Sequence, residues 1–109
     1  MTDQPRRTEN ASSFTEFDFI CTDKGRHRPT PLLKAMIGPG PDDFRAVGEY
    51  PSYHPAGRES ILGWAPSSHR LVCARCGWDF RRTHENLLED VRRLRQLGIT
   101  VLDISCWPF

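Results

Sequence analysis

Cys73 and Cys76 stand two residues apart in Leu71-Val72-Cys73-Ala74-Arg75-Cys76-Gly77. An apolar pair leads into the first thiol and a glycine follows the second. Thiolates at this spacing are soft ligands that one tight turn presents together, at the roughly 2.3 Å that a zinc–sulfur bond requires. Gly77 supplies a backbone angle that other residues adopt reluctantly. The competing chemistry for a Cys-x-x-Cys pair is dithiol–disulfide exchange, as in thioredoxin-like folds. In those folds the second cysteine lies inside the first turn of a helix, whereas here the helical signal begins only after Thr83. Metal binding is the favoured reading.

One such pair fills half of a tetrahedral shell, so further ligands must come from elsewhere. Phe19-Ile20-Cys21-Thr22-Asp23-Lys24-Gly25 repeats the same pattern, with Lys24 where the later copy has Cys76. His27 follows two residues after that glycine. The expected ligand set is Cys21, His27, Cys73 and Cys76, with His69 or Cys106 as the substitutes for His27. His54 and His84 have no ligand-like context. On these two segments the chain resembles the zinc-ribbon superfamily, in which two knuckles at the tips of β-hairpins share one metal. The resemblance covers the knuckles and the strands beside them, under half the chain, and Lys24 departs from the family pattern.

Four protein ligands imply a structural Zn2+, one per chain, since a catalytic zinc keeps an open position for water. His-x-Glu and His-Glu-x-x-His do not occur, and His84-Glu85 lacks a second histidine four residues after the first. Neither a Gly-rich phosphate loop nor Gly-x-Ser-x-Gly is present. The expectation is a protein that is not an enzyme.

The elements that must position these ligands belong to a small molecule. A chain of 109 residues is one domain at most. Hydrophobic content of 38% with nine prolines allows only a small core, for which a metal staple is a common remedy. A net charge of +1 gives no global pull toward nucleic acid or membrane. Residues 1–13 are polar, without a secretory apolar run, and no stretch is long and apolar enough to span a bilayer. A cytoplasmic location is expected, where thiols stay reduced and metal is favoured over disulfide. Abundant arginine and proline with few lysines fit a GC-rich genome, a bacterium or its phage.

Residues 1–13 read as a disordered tail and 14–109 as a single zinc-ribbon-like domain. Residues 14–22 form a strand with Phe17 and Phe19 on one face, 24–30 a basic tip, and 31–37 a return strand. Residues 38–68 are dense in Pro and Gly and read as an ordered but irregular insertion, with a helical turn near 42–47. Its Phe44, Tyr50, Tyr53, Ile61, Leu62 and Trp64 argue that it packs over the sheet. Residues 69–73 and 78–82 form a second hairpin. A helix follows at 84–97, capped by Thr83 and Gly98, with Leu87, Leu88, Val91 and Leu94 on its apolar face. A last strand lies within 99–105; parallel to 78–82 it would complete a right-handed β-α-β crossover. The tail at 106–109 docks on its own core. The fold class is thus α+β: a small zinc-ribbon-like sheet, one amphipathic helix and a long Pro/Gly-rich insertion.

Two function classes compete. Lys24, Arg26 and Arg28 at one knuckle, and Arg75, Arg81 and Arg82 at the other, make both tips basic, a layout that suits phosphates. Arg92, Arg93 and Arg95 extend this charge on the helix, diluted by Glu85, Glu89 and Asp90. The leading expectation is a nucleic-acid-binding accessory or regulatory protein whose zinc holds the tips in place. The alternative is a protein-interaction or assembly module, of phage or mobile-element type, that uses the aromatic insertion and the tail at 107–109. A redox protein based on Cys73 and Cys76 is a third class.

Overall fold

The computed structural model describes residues 14–40, 43–61 and 63–106. Among these residues two sheets and one helix form an α+β fold. Strands β1 (Thr15–Cys21) and β2 (Thr30–Ile37) pair antiparallel, β3 (Phe44–Ala46) adds to β2, and β7 (Val101–Asp103) pairs parallel with β1. The second sheet is the antiparallel meander β4 (Tyr53–Ser60), β5 (Gly63–Val72) and β6 (Asp79–Thr83). Helix α1 (His84–Gln96) leaves β6 directly, and the chain then returns to the first sheet as β7.

Strict alternation places Phe17, Phe19 and Cys21 of β1 in the core. Glu16 and Asp18 face the other way, where Lys34 of β2 reaches them at 3.1 and 3.9 Å. On β2 the alternation breaks. Phe19 lies opposite Leu33 but Ile20 lies opposite Pro31, so Leu32 is the extra residue of a bulge. The bulge lets Leu32 and Leu33 both be buried, and it sits beside the end of β1 from which Cys21 projects.

Thr83 caps α1 by accepting a bond from the Asn86 N–H at 3.2 Å. Gly98, at φ +79°, ends it, and its N–H bonds the Arg95 carbonyl at 2.9 Å. Leu87, Leu88, Val91 and Leu94 are buried, in one cluster with β1, β2, Leu71, Cys73 and Phe80. The helix therefore seals a core that both sheets share. Asp90 is buried on the same helix, 5% exposed, and receives the Arg82 guanidinium at 2.6 Å.

Three expectations need correction. Residues 38–68 are not irregular: they hold β3, β4 and the start of β5. The prolines are tolerated because of where they fall. Pro55 lies on the edge strand β4, and Pro66 lies opposite Gly57 at a bulge, beyond the reach of β6, which pairs only with Ser68 to Val72. Gly57 is needed there, since a Cβ would meet the Ala65 carbonyl oxygen at 2.1 Å and the Trp64 ring at 2.7 Å. The helical turn near 42–47 is also absent where it is described, because Phe44–Ala46 pairs with β2; Asp42 lies outside the described residues. Finally, β7 joins β1 and not β6, so α1 bridges two sheets instead of making a crossover within one. Hydrogen bonds from Asp18 N to Thr100 O and from Ile104 N to Ile20 O, each 2.9 Å, fix this docking. The tail expectations at 1–13 and 107–109 lie outside the described residues.

The shared core predicts a steep contrast on α1. Leu87→Ala should lower unfolding free energy by about 2–5 kcal/mol in urea titrations. Val91→Asp should abolish folding, while the exposed Arg93→Asp should stay within about 0.5 kcal/mol of the parent. Equal losses at 91 and 93 would show that the buried face is assigned wrongly.

Candidate metal centre

Both knuckles are built by backbone hydrogen bonds around a cysteine at a strand end. In the second, which links β5 to β6, Cys73 N donates to Trp78 O at 2.9 Å and Gly77 N to Cys73 O at 2.7 Å. Gly77 is left-handed at φ +79°, as its place in the pattern anticipates. The first knuckle, between β1 and β2, is different in detail. Asp23, Lys24 and Gly25 are all left-handed, at φ 51°, 56° and 88°. Two of them carry a Cβ, so this geometry needs support from outside the loop.

The support comes from the end of β7. Thr22 donates its hydroxyl to Asp103 Oδ2 at 2.5 Å and its N–H to Asp103 Oδ1 at 3.3 Å. The Lys24 N–H reaches Ser105 Oγ at 2.8 Å. Burial opposes ionisation of Asp103, but the Thr22 hydroxyl and the Ser105 hydroxyl and N–H donate to it and hold the carboxyl below the usual carboxylate range. Lys24, which stands where the other knuckle has Cys76, lays its ammonium 5.7 Å from the Trp78 ring centroid. The loop then closes through His27 N to Thr22 O at 2.9 Å.

The result is convergence. Ligand atoms of Cys21, His27, Cys73 and Cys76 all lie within 4.8 Å of one another. Cys21 Sγ is 3.6 Å from Cys76 Sγ, and His27 Nε2 is 3.9 and 3.8 Å from the sulfurs of Cys21 and Cys73. A tetrahedral ion with bonds of about 2.3 Å to sulfur and 2.0 Å to nitrogen needs S···S near 3.8 Å and S···N near 3.5 Å. These three distances lie within a few tenths of an ångström of that geometry, and the four atoms are close enough together for one metal ion. His27 Nδ1 lies 2.7 Å from the Arg28 carbonyl. A carbonyl only accepts, so Nδ1 carries the proton and the Nε2 lone pair faces the sulfurs. Such a second contact commonly fixes a ligand histidine.

The electrostatics also favour a cation. Burial pushes the Cys21 thiol up to about 12, against the pull of the Asp23 N–H. At Cys73 burial likewise opposes ionisation, but the N–H groups of Cys76 and Arg75 and the neighbouring thiols outweigh it and lower the value. One thiolate is thus stabilised while its neighbour is suppressed. A divalent ion among the three sulfurs would remove that conflict, since a coordinating thiol is deprotonated outright.

The substitutes for the fourth ligand are occupied elsewhere. Cys106 lies against Asp103, Sγ to Oδ2 3.5 Å. His69 is buried at 1% exposure, bonded through Nδ1 to the Tyr53 hydroxyl at 2.7 Å and through Nε2 to His84 Nδ1 at 2.8 Å. Phe44 packs on both imidazoles, with centroids 4.8 and 6.0 Å away. Burial, and then the neighbouring His84, push His69 down to about 4. This Tyr53–His69–His84 chain was missed in the sequence, where the three lie far apart and His84 reads as ordinary. Only the pairing of β4 with β5, and the helix start at the end of β6, bring them together.

The basic residues separate into two groups. Lys24, Arg26, Arg28 and Arg75 are exposed on the loops that carry the ligands. Arg81 and Arg82, adjacent in β6, diverge: Arg81 turns outward to Asp79 at 3.3 Å, whereas Arg82 turns inward to the buried Asp90. Arg82 therefore belongs to the packing and not to a tip.

No protein-family model, curated protein or solved structure matches the chain.

Two substitutions distinguish the histidines. His27→Ala should weaken metal retention by about tenfold or more in competition with a chromophoric chelator, while His69→Gln should leave it unchanged. His69 has a folded value near 4, below its ordinary 6.5, so the unfolded chain takes up the proton first. The stability it contributes is full above pH 6.5 and is lost as pH falls toward 4. His69→Gln should flatten the decline in melting temperature across that interval; an unchanged slope would show that His69 is not buried neutral.

Proposed function

We propose that this chain is a small zinc-binding protein in which one structural Zn2+ ties two loops into a basic tip that grips nucleic-acid phosphates. The observation that carries this reading is the convergence of three cysteines and one histidine whose ligand atoms lie within 4.8 Å of one another, with the histidine held by the Arg28 carbonyl. Three thiolates and an imidazole suit Zn2+ better than a hard cation. Two loops that join strand pairs and share one ion make a zinc-ribbon-like arrangement. With all four positions filled by protein, the metal is structural and the protein is not an enzyme. All four cysteines are free of disulfides, in keeping with a reducing cytoplasmic setting.

The nucleic-acid part rests on charge. Lys24, Arg26, Arg28 and Arg75 outnumber Asp23 and the single net negative charge of a three-thiolate zinc centre. The tip thus keeps a positive surplus on solvent-exposed side chains, the form in which cations replace counterions on a phosphate backbone. A protein-interaction module is the second reading. It is favoured by Ile61, fully exposed, and Trp64, 53% exposed, on the β4–β5 hairpin.

Elemental analysis should find one zinc per chain, and chelation should unfold the protein, because structural zinc contributes roughly 10–16 kcal/mol in small finger peptides. Metal-free protein of unchanged melting temperature would end the zinc reading. Affinity for nucleic acid should fall steeply with salt, and Arg26→Glu with Arg28→Glu should lower both affinity and salt slope while zinc content stays constant. If no DNA or RNA binds at low salt, and Trp64→Ala instead abolishes capture of a protein partner, the second reading replaces the first.

A further inference from the structure

The outer face of the β4–β5–β6 sheet carries an arrangement that the metal centre does not use. Arg70 of β5 and Arg81 of β6 are directly paired across the strands, and Ser68 and Thr83 form the next pair but one on the same face. Asp79 lies between the two arginines and engages both as forks. Its Oδ1 accepts from Arg70 Nε at 3.1 Å and from Arg81 Nε at 3.3 Å. Its Oδ2 accepts from Arg70 Nη2 at 2.9 Å and from Arg81 Nη2 at 3.4 Å. Those bonds hold the carboxyl down to about 2, so it stays ionised and keeps both guanidinium planes oriented.

One carboxylate cannot neutralise two guanidinium groups. Asp79 is the only acid on β5 or β6, so the cluster keeps a net positive charge. Each Arg also keeps its Nη1 amino group, which Asp79 does not engage. A shallow depression of about 280 Å3 is lined by Ser68, His69, Arg70, Arg81, Arg82 and Thr83, so the two arginines and two hydroxyl residues border one hollow. The Thr83 hydroxyl accepts from Asn86 N and so has its own proton to donate. Two preoriented guanidinium groups with two hydroxyls beside them are the donor set that recognises a phosphate.

We infer that Arg70 and Arg81, oriented by Asp79 and flanked by Ser68 and Thr83, form a phosphodiester subsite that continues the basic tip along the open sheet face. This rests on the nucleic-acid reading of that tip. Continuity supports it: the loop between β5 and β6 is the second knuckle, so Arg75 lies at most roughly 17 Å of chain from Arg70. A nucleic-acid strand crossing that distance offers several phosphates, whereas a free phosphate would occupy the depression alone. Arg82 shows why the neighbouring position is excluded, since the alternation of the strand sends it to Asp90 on the inner face.

The test uses full-length, zinc-loaded protein and fluorescence anisotropy on a fluorescein-labelled DNA duplex and on a labelled single strand, each at several salt concentrations. The double variant Arg70→Ala/Arg81→Ala should bind about tenfold or more weakly and should lose about 1–2 from the slope of log affinity against log salt. Its zinc content and melting temperature should match the parent. Arg93→Glu, on the helix, should change affinity far less. If the double variant binds like the parent while Arg26→Glu/Arg28→Glu does not, the subsite is wrong and the tip reading stands. Loss in the sheet variant with retention in the tip variant supports the subsite and overturns the tip. Equal loss from Arg93→Glu reduces the effect to overall charge and overturns the inference. Failure of the parent to bind either nucleic acid overturns both. Saturable shifts of the Arg70 and Arg81 Nε resonances on addition of inorganic phosphate alone would then identify a free-phosphate site, contrary to the inference.

Discussion

Cys21 ends β1 and His27 lies in the loop between β1 and β2, while Cys73 and Cys76 lie in the loop between β5 and β6. The two loops belong to different sheets, so the meeting of their ligand atoms fixes the relation between the halves of the molecule. Cys21 and Cys73 are also core residues, in the cluster that contains Phe19, Leu71 and Phe80. The site is therefore the end of the core and not an ornament on its surface. A core of this size, from a chain with 38% hydrophobic residues, would gain more from one metal crosslink at this point than from any single side chain.

The rest of the architecture serves that meeting. Helix α1 fills the space between the sheets and carries the chain from the second to the first. The strand that follows, β7, does little as a strand, with three residues paired to β1. Its larger effect is at its end, where Asp103 and Ser105 grip Thr22 and Lys24. The first knuckle has one cysteine fewer than the second and two strained non-glycine residues more. The turn after β7 compensates by holding its backbone, and His27 brings an imidazole from farther along the loop where the other knuckle has a second thiol.

The arginines show how one residue type is divided among tasks. Arg82 meets Asp90 in the core, and Arg95 reaches the Ile37 carbonyl at 3.2 Å, closing the first sheet against the helix. Arg92 bonds the Gly40 carbonyl beyond β2. These side chains are half-buried, and each is held by an acceptor on another element. Lys24, Arg26, Arg28 and Arg75 are exposed on the loops that carry the Cys/His cluster, and Arg70 and Arg81 are exposed on the second sheet. Net charge of +1 conceals this separation completely.

Much of the site was legible from local pattern. The Cys-x-x-Cys-Gly turn, its degenerate copy at 21–25 and the histidine beyond it identified all four converging residues, because a knuckle is a local device with a fixed spacing. Helix α1 was legible for the same reason: Thr83, Gly98 and the spacing of its leucines act within a few residues of chain. Residues 38–68 were not, because proline density forbids strands only where both edges must be bonded, and which edges are free is a property of the sheet. The partner of β7, the inward turn of Arg82 to the buried Asp90 and the Tyr53–His69–His84 chain were equally beyond the sequence. Each depends on which strand lies beside which, and that was decided when two sheets and a helix had to close over one core and bring two loops to one point.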